Sequence, residues 1–303
     1  MFSCTKVHAF AYTHELNSQP ASTSKTTQPT THRHCTHNAR PDQVQQARLD
    51  PCLILGGSSG IGYAVAEGAI ESNVASLIIS SSTDPKVQDG ISRLRAAYPS
   101  KSTQITGHTT QLNDSENLEA NIIALLESAT EGRTKLLDHV VHTAGDSLKL
   151  SLIKDTTTAD IIQAGMVRYF SVFMLAKHLP KYVNPGAKSS LTVTTAVIAE
   201  KPNREWTVYG GYYAALFGLV KGAALELAPL RVNMVNLGWT DTELWSGMSD
   251  EKREQTRQYM AQHLLGKRVP KPEDAAEQYL ASMRDANSTG TLYGTNGGEL
   301  INR

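Results

Sequence analysis

From residue 50 onward, apolar positions fall into short solid runs separated by longer amphipathic stretches. The run 52–55, Cys-Leu-Ile-Leu, is apolar throughout, the pattern of a strand covered on both faces. Similar runs fall at 76–79, 103–108, 137–142, 191–195 and 232–235, with a short last one at 290–293. Between them the period lengthens to that of a helix, over 61–70, 84–98, 113–129, 159–182, 209–228 and 272–284. Pro85 suits a first helical turn, and Asn184-Pro185-Gly186 stops the helix before it. The stretch 209–228 is nearly all small and apolar, which predicts burial all round, and 241–268 reads as a polar helical excursion. This alternation predicts an α/β fold: one doubly wound parallel sheet with helices on both faces and ligands at the carboxyl ends of its strands.

The first strand runs into Gly56-Gly57-Ser58-Ser59-Gly60-Ile61-Gly62, and a helix follows. Strand, glycine turn and helix together bring a pyrophosphate onto backbone N–H groups at a helix N-terminus. Gly56 permits the tight turn, Gly60 a close approach of backbone to phosphate, and Gly62 the packing of helix on sheet. The spacing is G-x-x-x-G-x-G rather than the G-x-G-x-x-G of the dinucleotide fingerprint. The strand before it and the helix after it make it a nucleotide site.

Composition narrows the rest. The chain has 303 residues, enough for one domain of about 250 with a full core. Lys+Arg and Asp+Glu both number 29, so zero net charge supports no nucleic-acid partner. No apolar stretch approaches the roughly 20 residues needed to span a bilayer, so no membrane role is expected. Three cysteines, Cys4, Cys35 and Cys52, form no disulfide framework and suit a reducing, cytoplasmic compartment. Residues 1–48 are rich in Ser, Thr, Gln and His and lack apolar periodicity, which predicts a disordered extension before a domain at 49–303. Being poor in acids, the extension also admits organelle targeting, and an overlong gene model stands beside that reading. His32, His34, Cys35 and His37 suggest a metal site, but no matching ligand pair exists elsewhere, so a polar tail without metal is expected.

The motifs resemble, in order, those of the short-chain dehydrogenase/reductase family, from about residue 50 to the C-terminus. Gly56 to Gly62 is similar to its T-G-x-x-x-G-I-G loop, and Thr143-Ala144-Gly145 to its N-A-G. Residues 231–242, including Gly238, Thr240 and Thr242, resemble R-V-N-x-V-x-P-G-x-x-x-T, and Thr289-Gly290 and Gly297-Gly298 resemble the closing T-G and D-G-G. The resemblance implies a Rossmann-like single domain, a nicotinamide dinucleotide and a homo-oligomer, a dimer or tetramer paired through the helices at 159–182 and 209–228.

The matched active-site positions depart from the family. Thr195 falls where the resemblance places the catalytic serine, and Y-x-x-x-K reads Tyr209-Gly210-Gly211-Tyr212-Tyr213, with Tyr213 in the lysine's place. Arg168 replaces the asparagine of the proton relay. The family's lysine holds the nicotinamide ribose and lowers the tyrosine pKa. Tyr213 retains a hydroxyl for the ribose but carries no charge. Arg168 restores a charge without shuttling protons, or else pairs with a surface carboxylate. Such a site suits hydride delivery to an acceptor that is already charged, an iminium, better than alcohol oxidation, which needs a base.

For the cofactor's 2′-position, Ser80 falls where NAD-preferring relatives carry Asp, and Ser81 and Ser82 follow. Three hydroxyls accept a phosphate without repulsion, which favours NADP(H), although three serines also simply start a loop. Gln111-Leu112 stands where the family sets a pair against the adenine. Trp206, Trp239 and Trp245 border the substrate region of the family, as aromatic walls for a bulky ligand or as core and interface packing. The functional expectation is an NADPH-dependent reductase acting on an imine or activated carbonyl of a bulky aromatic natural-product intermediate. A cyclase or isomerase on the same scaffold and a non-catalytic dinucleotide-binding regulator remain the alternatives.

Overall fold

Seven parallel strands form one sheet in the order β3-β2-β1-β4-β5-β6-β7. The structure, a computed structural model, describes residues 50–302, so the expectations for residues 1–48 lie outside it. The strands are β1 (Cys52–Leu55), β2 (Ser76–Ser81), β3 (Gln104–Thr109), β4 (His139–His142), β5 (Ser190–Ala196), β6 (Arg231–Leu237) and β7 (Leu292–Thr295). β1 pairs with β2 on one side and β4 on the other, so the strand order reverses beside it. That switch point is where an open parallel sheet leaves a crevice at its carboxyl edge.

The helices α1 (Gly60–Glu71), α2 (Asp84–Ala97), α3 (Leu118–Ala129), α4 (Thr158–Gly165), α5 (Ser171–His178), α6 (Thr207–Glu226), α7 (Asp250–His263) and α8 (Pro272–Arg284) complete the layers. Alternate residues of each strand feed different cores, because successive side chains point to opposite faces. Leu53, Leu55, Val140, Leu191 and Val193 pack with α3, α5 and α6. Cys52, Ile54, Ile79, Val141 and Val235 pack with α1, α2 and α8.

Three helical expectations are corrected. The stretch 159–182 is not one helix: α4 and α5 are joined by a π-helical turn, Met166–Phe170, and a 3₁₀ turn, Leu179–Lys181, follows. By length and hydropathy Thr158–Lys181 passes as a membrane span, yet Val172, Leu175 and Leu179 are buried in the core. The helix expected from 113 starts at Leu118, because the Asp114 carboxylate accepts the N–H groups of Glu116 and Asn117 and holds a turn there. α6 is not buried all round, as only Tyr209, Leu216 and Val220 are fully covered and Leu225 stands 81% exposed.

Candidate active site

Gly56 and Gly60 have φ of +84° and +54°, the left-handed conformation glycine adopts without strain. The Gly56 and Gly57 N–H groups donate to the Ser80 carbonyl, which pins the turn to the end of β2. A Cβ on Gly56 would lie 2.7 Å from the Ala144 Cα, and one on Gly62 would fall onto the Gly56 carbonyl oxygen. Gly62 therefore lets α1 start directly against the turn. Thr143 locks β4 to β1: its N–H and its hydroxyl both donate to the Leu55 carbonyl, at 2.9 Å. Ser59, at the N-cap of α1, makes no side-chain bond to the first turn.

Above this loop lies a cleft of about 1130 Å³, ample for a dinucleotide with a second ligand. It is lined by the loop residues Gly56, Ser58, Ser59, Gly60, Ile61 and Gly62, and by Ser80, Ser81, Ser82 and Leu112. Thr143, Ala144, Gly145, Arg168, Tyr213, Thr242 and Trp245 line it as well. The fit to a nicotinamide dinucleotide rests on the glycine loop, whose Gly56 and Gly60 line the cleft at positive φ, and on the Thr110 hydroxyl, buried in the lining without a partner. Ser58 donates to Ser81 at 2.9 Å, so the loop and the serine run form one surface.

Other expected residues stand outside the lining. Gln111 donates to the Ser82 carbonyl and braces the loop after β2. Gly238 is held under Asn296 and Glu299, and the Thr240 hydroxyl donates back to the Gly238 carbonyl. Trp206 and Trp239 sit behind Trp245, with ring centroids 6.4 and 6.3 Å from it. Thr195 is fully buried and its hydroxyl donates to the Tyr213 carbonyl, so it offers nothing to the cleft. The neighbouring threonine, Thr194, lines the cleft, but its hydroxyl donates to the His142 carbonyl and pairs with the Tyr279 hydroxyl, both at 2.7 Å. A one-residue step along a strand changes face, so the two threonines point to opposite sides of the sheet. Tyr209 is 3% exposed, and its hydroxyl accepts the Lys149 N–H at 2.9 Å beneath the segment 146–150.

Sequence reasoning missed Asp146, His142, Thr110, Lys86 and Arg93, all in the lining. No local motif marks them; the sheet brings them together at its carboxyl edge. Arg168 is 5% exposed. Its guanidinium donates to the Tyr213 hydroxyl, to the Asp146 carboxylate and to the Asp146 carbonyl, and it lies 5.1 Å from the Tyr209 ring centroid. Burial works against its charge, but Tyr213 and Asp146 outweigh that and hold its pKa above the ordinary value. Burial also pushes His142 from 6.5 down to about 4, with Arg168 adding to the shift, so the imidazole is neutral near pH 7. On α2, Arg93 donates to the Ser58 carbonyl and lies over the Tyr63 ring. Glu243 reaches the loop, 3.4 Å from where a Gly60 Cβ would stand.

Fold and site together define an SDR-like Rossmann domain, whose family model matches residues 46–302. The chain belongs to the short-chain dehydrogenase/reductase family. It is 38% identical over 254 residues to the short-chain dehydrogenase/reductase fsr5 of Gibberella fujikuroi, covering 82% of this chain and 94% of that protein. It is 36% identical to ATR9 of Stachybotrys chlorohalonatus, with 82% and 96% covered. Among solved structures, the MalC reductase/Diels-Alderase of Malbranchea aurantiaca superposes with a TM-score of 0.79 at 33% identity, over 84% of this chain and 98% of that one. A small-chain dehydrogenase in complex with NADPH shares the fold, with a TM-score of 0.65 at 24% identity, over 82% and 98%.

Proposed function

We propose that this protein is an NADP(H)-dependent reductase whose hydride acceptor is a C=N⁺ carbon of a bulky aromatic natural-product intermediate. The observation that carries the reading is the withdrawal of both expected proton donors: Tyr209 lies under the 146–150 segment, and the Thr195 hydroxyl is spent on a backbone carbonyl. Reducing a carbonyl leaves an alkoxide that needs a proton, whereas an iminium becomes a neutral amine without one. The cofactor, when bound, supplies the hydride.

The residues that would hold it are the glycine loop, the serines at 80–82, Thr110 and Leu112. Lys86 adds at this end a positive charge that the serine run lacks, which supports a 2′-phosphate, while Arg93 is paired with Asp89. Arg168 fixes Tyr213, whose hydroxyl takes over the ribose-binding task of the family's lysine. Trp245, backed by Trp206 and Trp239, walls the acceptor site. The exposed Phe173 on α5 and Leu225 on α6 support a two-fold pairing of chains across these helices. Light scattering that gives a dimer or tetramer mass would support the pairing, and a monomer at micromolar concentration would remove it.

A second reading, ring formation without net redox change, is favoured by the likeness to MalC, named a reductase/Diels-Alderase. The test is incubation with NADPH and the 2-methyl-3,4-dihydroisoquinolinium cation, followed by absorbance of the reduced cofactor and mass spectrometry of the product. The proposal expects NADPH loss matched by tertiary amine, and little loss with the ketone 1-tetralone. Equal or faster turnover of the ketone would overturn it. Activity on natural intermediates that rearranges the skeleton without NADPH loss would favour the second reading.

A further inference from the structure

The charged residues that line the cleft are sorted by the strand that delivers them. Lys86, Asp89 and Arg93 come from α2, after β2; Asp146 follows β4 and meets Arg168 and Tyr213 on the other side of β1; and Glu243, after β6, stands at the glycine loop beside Gly60. The members of the Asp146–Arg168 ion pair are unequally placed. The Arg168 side chain is 4% exposed and that of Asp146 27%. Every donating nitrogen of Arg168 points to a protein oxygen: Nε to Tyr213, Nη1 to the Asp146 carboxylate, Nη2 to the Asp146 carbonyl. The cation is thus spent inward and the carboxylate is nearer the cleft. The pair is a fixed dipole with its negative end toward the ligand.

The position that holds the family's lysine is Tyr213, so among the described residues no lysine stands beside this pair to cancel its field. Trp245 lines the same cleft. A carboxylate with an indole face is a favourable setting for a delocalised organic cation.

We infer that Asp146 is the substrate-binding carboxylate of this site and that it selects cationic over neutral aromatic acceptors. This rests on the hydride-acceptor reading given above, and it assigns the selection to one residue. The magnitude follows from two opposed Coulomb interactions. A ligand cation about 5 Å from the carboxylate and about 8 Å from the guanidinium, at an effective dielectric near 20, retains roughly a third of the full attraction, a preference of about tenfold in affinity.

The experiment is calorimetric titration of the protein, saturated with 1,4,5,6-tetrahydro-NADP, whose nicotinamide ring is uncharged and transfers no hydride, against the 2-methyl-3,4-dihydroisoquinolinium cation and its neutral lactam, 2-methyl-3,4-dihydroisoquinolin-1-one. The native protein is expected to bind the cation about tenfold more tightly than the lactam, with the difference shrinking as salt is raised. Asp146→Asn is expected to abolish the preference. Because that variant leaves Arg168 unpaired, the double variant Asp146→Asn/Arg168→Gln removes the stranded charge and is expected to lose the preference as well. Arg168→Gln alone is expected to increase it, since the opposing charge is gone.

Opposite signs for Asp146→Asn and Arg168→Gln support a recognition role, because a merely structural pair would lose discrimination equally in both. A preference retained in both Asp146 variants overturns the assignment to Asp146, while NADPH-linked reduction of the cation by the native protein leaves the acceptor reading standing. No preference in the native protein overturns the inference outright. Absence of cation reduction in the native protein counts against the acceptor reading alone.

Discussion

The Nε of Arg168 donates to the hydroxyl of Tyr213 at 3.2 Å. One residue stands on the π-helical turn Met166–Phe170, the other one helical turn beyond Tyr209 on α6. A π turn adds a residue to the helix and re-aims the side chains on it, a device found at functional sites. Here it turns a long cation inward beneath the carboxyl ends of β4 and β5. The two positions where relatives carry the relay asparagine and the lysine are thereby joined directly. On the proposed reading a fixed arrangement stands where the family shuttles protons, since the guanidinium keeps its proton.

NADPH should bind more tightly than NADH, because no acid stands at Ser80 and because Lys86 lines the same end of the cleft, the Arg93 charge being paired with Asp89. Ser80→Asp should shift the preference toward NADH. Lys86→Ala should weaken NADPH by about fivefold to tenfold and leave NADH nearly unchanged, as expected for one partly solvated charge pair. Titration calorimetry with both dinucleotides checks this, and equal affinities in the native protein would refute it.

The neutral, buried His142 makes stability depend on pH. Its folded pKa, about 4, lies below the ordinary 6.5, so the unfolded chain binds the extra proton first as pH falls. Its contribution is lost progressively from about pH 6.5 to 4, to a limit of about 3 kcal/mol. The ring nitrogen Nε2 pairs with the Ser171 hydroxyl at 2.8 Å, and that hydroxyl donates to the Val167 carbonyl, so the imidazole is the donor. Urea unfolding at stepped pH should show a flatter acid limb in His142→Gln than in the native protein. Parallel limbs would contradict the assignment.

Arg231 joins the last two strands to α8. It is 2% exposed, and its guanidinium donates to the carbonyls of Ala187, Ser282, Met283 and Ser288. Arg231→Met strands these acceptors in a dry interior and should cost about 3 kcal/mol or more. Chemical denaturation measures it, and a change below about 1 kcal/mol would show that water reaches these carbonyls.

The fold was legible because a strand buried on both faces is a solid apolar run, so β1 was placed to the residue. β6 was read short because its flanking Arg231 and Asn236 are polar yet buried, bonded to carbonyls and to Glu200. The π turn was not legible, since it keeps the apolar periodicity of the helices it joins. The glycine loop was legible because backbone sterics demand glycine there, and Thr143-Ala144-Gly145 through its resemblance to the family's N-A-G. Thr194 and Thr195 could not be told apart by position, because a single step in a strand decides which faces the cleft. Asp146 and Arg93 carry no local signal, and only the register of β1 with β2 and β4 brings them to one cleft.

The central claim is that Tyr209 donates no proton to the acceptor, and steady-state turnover of Tyr209→Phe beside Arg168→Ala on the iminium substrate tests it most directly. General acid catalysis typically supplies a hundredfold or more, so a catalytic phenol would leave Tyr209→Phe nearly inactive. The account predicts that Tyr209→Phe loses less than about fivefold, at the cost of one hydrogen bond to Lys149. Arg168→Ala should lose more, because both Asp146 and Tyr213 are released. A dead Tyr209→Phe enzyme beside a fully active Arg168→Ala enzyme would contradict the account and return the site to tyrosine-acid carbonyl reduction.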